Sequence, residues 1–127
     1  MLQIARQSGR ADWQEFAHGL LENSITWPAE MTGISDAPLC HGAAGLAHIF
    51  NPIYQTEGDP RCREQALFWV EQALAMRRLM GGVGGYLAST RPDPGGSVVW
   101  EPSPAFLDGA IGIALMLLAA LTPVEPQ

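Results

Sequence analysis

Charge is scarce in this chain. Asp, Glu, Lys and Arg make up 16% of its 127 residues, against about 25% in ordinary soluble domains. That shortage of polar surface implies that another chain covers part of the molecule, or that the chain belongs to a larger fold. Cations are scarcer than acids, 7 Lys and Arg against 13 Asp and Glu, for a net charge of -6. A nucleic-acid binder usually carries a basic patch. The nearest thing to one, Arg61, Arg63, Arg77 and Arg78, is spread among acids along one helix and reads as a solvated face. Only two cysteines occur, Cys40 and Cys62, which is too few for a disulfide framework of the small secreted type. Residues 1–10 lack the continuous apolar segment of a signal peptide. The longest apolar run, Ala105–Leu121, contains Asp108 and two glycines and is shorter than the ~20 residues of a membrane span. It reads as a buried core helix. The chain is therefore expected to be soluble and cytoplasmic, one domain over 1–127, with no nucleic-acid partner and no membrane span.

What is present is mostly helical patterning. Residues 1–9 read as the end of a helix, broken by Gly9. Trp13, Phe16, Ala17, Leu20 and Leu21 form one face of an amphipathic helix over about 11–23. Trp27-Pro28 ends it, and 28–38 is a loop. A short, largely apolar helix over about 43–52 follows, with the character of a buried element. Asp59-Pro60 is a strong start for a helix running to about Met80, with Asp59 as N-cap. Ala66, Trp69, Val70, Ala73 and Leu74 form its apolar stripe. Gly81-Gly82-Val83-Gly84-Gly85 reads as its C-cap and a mobile turn. It is no phosphate loop, because no strand precedes it and no GK[ST] follows. Residues 86–89 and 97–101 can pair as a small hairpin around Pro92-Asp93-Pro94-Gly95-Gly96. The last helix covers about 105–121, stopped by Pro123, with 124–127 fraying. The fold class is all-α, with largely apolar helices alternating with amphipathic ones. That alternation suits helical hairpins in which one helix of each pair faces a common centre.

A short pattern occurs twice. Gly42-Ala43-Ala44-Gly45-Leu46-Ala47 aligns with Gly109-Ala110-Ile111-Gly112-Ile113-Ala114, an offset of 67 residues (109 minus 42). Glycine inside a helix costs about 0.5–1 kcal/mol relative to alanine. Two in each helix start imply close backbone approach or, failing that, N–H groups left open to a ligand.

Only the first copy is preceded by Cys40-His41. Zinc takes thiolate and neutral imidazole, and a catalytic zinc keeps three protein ligands and an open position. Adjacent residues can both ligate if the backbone turns between them. The same pair also reads as a small buried thiol beside a polar helix start. No third ligand stands out. Cys62, His48 and His18 qualify by residue type alone. His48 lies two helical turns from His41, roughly 10 Å away.

Leu39-Cys40-His41-Gly42-Ala43-Ala44-Gly45 resembles the CHG motif of the lanthionine synthetase C-like (LanC) family of lantibiotic cyclases. Phe106 to Leu115 resembles that family's C-terminal G-x-x-G-I-A-L helix. The resemblance spans about residues 10 to 122 and matches the C-terminal third of a family member. It implies an α/α toroid of inner and outer helices, with Cys40 and His41 as two of three protein zinc ligands. It also implies a precursor peptide as partner, whose cysteine thiolates add to dehydroalanine or dehydrobutyrine to form lanthionine or methyllanthionine. The family's third ligand, in a W-C-Y-G-type motif, and its acid/base aspartate and histidine have no counterpart before Cys40. The chain is thus expected to be a fragment or truncated product. It would be inactive alone, and would associate with the rest of the toroid or with itself. Two other readings remain. One is a non-catalytic helical piece binding a peptide or partner chain. The other is a glycosidase relative using Asp108 and Glu101, which leaves Cys40-His41 unexplained.

Overall fold

The computed structural model describes residues 2–90 and 95–122. The chain divides into two compact units, Met1–Gly33 and Ile34–Gln127. The first contains helix α1, Leu2–Ser8, and helix α2, Ala11–Thr26. Gly9 has φ +66 between them, a conformation only glycine adopts freely. Ala5, Ala17 and Leu21 are buried, while Trp13, Phe16 and Leu20 from the expected stripe are exposed. Ile4, Ala5, Trp13, Phe16 and Ala17 line an apolar cleft of ≈ 310 Å³. A 3-10 turn at Ala29–Met31 interrupts what the sequence presents as plain loop.

The second unit contains helices α3, Ala43–Glu57, α4, Pro60–Ala75, and α5, Ala110–Leu121. Helix α3 packs against both α4 and α5. It buries Ala43, Ala44, Ala47 and Phe50, and α4 answers with Cys62, Ala66, Trp69 and Ala73. Small residues dominate both faces, so the helices can approach closely. Cys62 is in no disulfide and has no exposed surface, a small core side chain.

Three helix boundaries differ from the sequence expectation. Helix α3 runs through Pro52 and ends where Gly58, at φ 72, turns left-handed and donates to the Tyr54 carbonyl. A proline removes one ladder bond, and here the helix continues past that loss. Helix α4 stops at Ala75, well short of Met80. The Arg78 N–H is taken by the Gly85 carbonyl (2.8 Å) rather than by a preceding helical turn. The glycine run is therefore not a C-cap. It forms a tight turn closed by a Val83–Tyr86 bridge. Helix α5 starts at Ala110, not 105, because residues 106–108 form a turn and the first helical N–H, that of Ala110, is taken by the Ser103 carbonyl.

The hairpin is present as strands β1, Ala88–Thr90, and β2, Val99–Glu101. They are antiparallel, with Ala88 opposite Glu101, Ser89 opposite Trp100 and Thr90 opposite Val99. Pro92, Asp93 and Pro94 of the expected turn, and Pro123 and 124–127 at the end, lie outside the described residues. The described second unit is thus helical with one small hairpin. Helix α5 is less enclosed than its apolarity suggests. Gly112, Ile113 and Met116 are buried, but Ile111, Leu115 and Leu118 are each about half exposed. Among the described residues no helix is long and apolar enough to cross a membrane.

Arg61 at the start of α4, and Arg77 and Arg78 just past its end, are exposed and engaged individually. The Arg61 guanidinium pairs with Asp59 (2.7 Å), Arg77 donates to the Gly84 carbonyl, and Arg78 stacks over Trp100. Asp59 caps α4 by accepting the Arg61 N–H (2.9 Å). The Arg61 side chain, and then that backbone bond, hold the Asp59 carboxyl below its ordinary value of 3.8. A depressed carboxylate contributes stability above the unfolded value and loses it as pH falls through the folded one. Asp59→Asn keeps the cap, since asparagine caps equally well, but loses the charge. The wild type should therefore be the more stable of the two at neutral pH. The gap should close as pH falls below about 4, as read by urea melts across pH 3–7.

Candidate metal centre

The loop Asp36–His41 supplies carbonyls to the start of α3. Gly42 N–H donates to Pro38 O (2.9 Å), Ala43 N–H to Asp36 O (3.0 Å) and Ala44 N–H to Ala37 O (3.0 Å). The N–H groups that a helix start leaves without intrahelical partners are thereby satisfied, so they are not open to a ligand.

The glycines are there for close approach. A Cβ on Gly42 would lie 2.6 Å from Asp36 O, and one on Gly45 would lie 2.2 Å from Leu39 O. The second copy repeats this atom for atom. A Cβ on Gly109 would lie 2.4 Å from Ser103 O, and one on Gly112 would lie 2.1 Å from Phe106 O. Ala110 N–H donates to Ser103 O (3.0 Å), as Ala43 does to Asp36 O. Each pair of equivalent positions is separated by the same 67 residues. The repeat is thus a structural unit, a three-residue turn folded onto the first turn of a helix.

The two turns touch. Cys40 N–H donates to Leu107 O (3.0 Å), its own counterpart in the repeat. Asp108 is the counterpart of His41, and the two side chains meet with His41 Nδ1 3.9 Å from Asp108 Oδ1. Cys40, His41 and Asp108 each offer one ligand atom, and these atoms all lie within 4.8 Å of one another. All three side chains are exposed.

The other face of the imidazole is held from below. Asp36 is buried, and its Oδ2 accepts from His41 Nε2 (2.9 Å) and from the Ser89 hydroxyl on β1. With the Asp36 carboxylate at Nε2, Nδ1 is the ring nitrogen left on the side of Asp108. Metal-ligating histidines are oriented in this way. Nothing in the sequence near His41 marks Asp36 for this role.

Electrostatically the site favours a cation. Two carboxylates, Asp36 and Asp108, flank the His41 imidazole. The Cys40 thiol is pushed up from its ordinary value, chiefly by its hydrogen bond to Asp108, then by burial and by the charges of Asp108 and Asp36. A nucleophilic cysteine needs the opposite, a thiolate favoured by positive surroundings. A bound metal ion would invert this logic, because coordination deprotonates a thiol outright.

Of the other candidates by residue type, none joins the group. His18 lies on α2 with its Nδ1 2.8 Å from Gln14 O. His48 is exposed and Cys62 is buried in the α3–α4 contact. Glu101, paired with Asp108 in the carboxylate reading, instead accepts from Thr90 across the hairpin (3.3 Å). Comparison with protein-family models, curated proteins and solved structures finds no match.

Proposed function

We propose that this chain is the zinc-site portion of a LanC-like α/α toroid, acting in the cytoplasm on a precursor peptide to form lanthionine or methyllanthionine thioethers. The observation that carries the reading is the Cys40-His41 pair itself. Thiol and imidazole sit side by side on a turn, and a buried carboxylate fixes the imidazole with its Nδ1 outward. The donor set suits zinc, which takes thiolate, imidazole and carboxylate alike. Zinc bound there would lower the pKa of a peptide cysteine, so that its thiolate is available near neutral pH for addition to a dehydroamino acid. The chain's own contribution is positional. Asp36 holds the Nε2 proton of His41, and Ser89 holds Asp36. The Cys40 backbone is pinned to the second repeat through Leu107, so the thiol stays beside the imidazole.

Elemental analysis of the purified full chain checks this. Stoichiometric zinc is expected in the wild type and should be lost in Cys40→Ala and in His41→Ala. Zinc content unchanged by both substitutions would overturn the reading.

A second reading, a non-catalytic helical piece that binds a peptide or partner chain, draws on the exposed Ile111, Leu115 and Leu118 of α5. Apolar surface of that kind favours association. It expects no bound zinc and an assembly that Leu115→Glu weakens in analytical ultracentrifugation.

A further inference from the structure

The reading above assigns two ligands and leaves a third to be found. We propose that Asp108 is that third ligand, so that Cys40, His41 and Asp108 hold one divalent ion across the two repeat turns with no ligand from outside the chain. The inference rests on Cys40 and His41 being metal ligands, and adds to it a residue from the opposite copy of the repeat.

Three observations carry it. The first is distance. Ligand atoms around a tetrahedral zinc, at bonds of about 2.0–2.3 Å, lie about 3.3–3.7 Å apart. His41 Nδ1 and Asp108 Oδ1 are 3.9 Å apart already. The Cys40, His41 and Asp108 donor atoms as a set lie within 4.8 Å of one another. Closing to bonding distance needs shifts on the order of 1 Å, within the freedom of exposed side chains.

The second is orientation. Asp36 occupies Nε2, so Nδ1 is the ring nitrogen turned towards Asp108. An imidazole nitrogen and a carboxylate oxygen side by side are two metal donors, an arrangement that a cation between them stabilises.

The third is the frame. The Cys40 N–H to Leu107 O bond ties the two turns at the residues adjoining His41 and Asp108. The four glycines bring each turn onto its own helix. The carboxylate is therefore carried on backbone as constrained as that of the other two ligands, and not on a free loop.

The test uses the full chain with zinc and cobalt as probes. Zinc affinity is read by competition with a chromophoric chelator, and the ligand set by the absorption spectrum of the cobalt form. Losing a supporting partner of a metal ligand typically costs 10–100-fold in affinity, so losing a ligand should cost at least about 100-fold. Asp108→Asn should weaken zinc by that factor, whereas Glu101→Gln, a carboxylate outside the group, should leave it unchanged. Asp108→Cys should restore binding and intensify the thiolate-to-cobalt charge-transfer band, which a merely structural role for Asp108 would not do. Three outcomes are decisive. Zinc that binds the wild type, is lost in Cys40→Ala and is unaffected by Asp108→Asn overturns the assignment of Asp108 alone. Wild type that binds no zinc, or binds it equally well as Cys40→Ala, overturns the parent reading with it. Far-UV circular dichroism on each variant separates lost binding from lost fold.

Discussion

Replacing Gly45 by alanine is expected to destabilise the second unit by about 3 kcal/mol or more, beyond the usual range for overpacked sites. Most overpacking is relieved by a side chain that rotates away. Here the added methyl would sit 2.2 Å from the Leu39 carbonyl oxygen, and in Gly112→Ala it would sit 2.1 Å from the Phe106 oxygen. Ordinary carbon–oxygen contact needs more than an ångström beyond that, and the obstacle is backbone. The turn must lift off its helix. In the first copy the lifted residues include Leu39, next to Cys40, and a Cβ on Gly112 would also lie 2.8 Å from Leu39 Cβ. The strain is thus shared between both repeats. A domain is stable by only about 5–15 kcal/mol in total, so a large part of that margin goes. Gly19→Ala is the control. Gly19 lies inside α2, has nothing within 4 Å of a built Cβ and has no left-handed backbone. It should be neutral, or stabilising by about 0.5–1 kcal/mol. Urea midpoints for the three variants decide the matter. A Gly45→Ala protein as stable as wild type would mean that the turn does not lie on the helix as described.

The helices, their order and the hairpin were legible because periodicity, Asp59-Pro60 and the glycine pattern are local signals. The errors were local too. Pro52 looks like a stop but is absorbed by α3, and α4 ends early because Gly85, ten residues beyond Ala75, captures the Arg78 N–H. The metal-type pair was legible because Cys40 and His41 are adjacent. Its surroundings were not. Asp36 reads as one more loop acid, and nothing local says that a strand serine 53 residues later will bind it. Asp108 reads as one of a carboxylate pair with Glu101, not as a ligand. The signal that could have marked it is the 67-residue register, which sets Asp108 against His41. A repeat whose copies pack turn to turn brings equivalent positions together, so the register carries contact information.

Asp36→Ala is expected to be the other substitution of large effect, and to act on stability and metal affinity together. Asp36 is 3% exposed, and a single oxygen, Oδ2, receives both the His41 Nε2–H and the Ser89 hydroxyl. Hydrogen bonds to a charged group contribute about 1.5–3 kcal/mol each. Part of that is offset because the buried carboxylate no longer has to be kept out of water. A net loss of about 2–3 kcal/mol follows, since Ser89 and His41 are left without their acceptor. The imidazole also loses what fixes its tautomer, and zinc affinity should fall 10–100-fold. Asp36→Asn separates the two roles. Its amide oxygen can take the place of Oδ2 and accept from both donors, so stability should drop by less than in the alanine variant. The carboxylate's charge, which makes the imidazole a stronger ligand, is gone, so zinc affinity should still fall. Urea melts and chelator competition on the two variants supply both numbers. If Asp36→Asn lost stability but kept wild-type zinc affinity, Asp36 would be a loop anchor with no part in holding His41 for a metal. If both variants kept their affinity, Nδ1 of His41 would not be the nitrogen that binds.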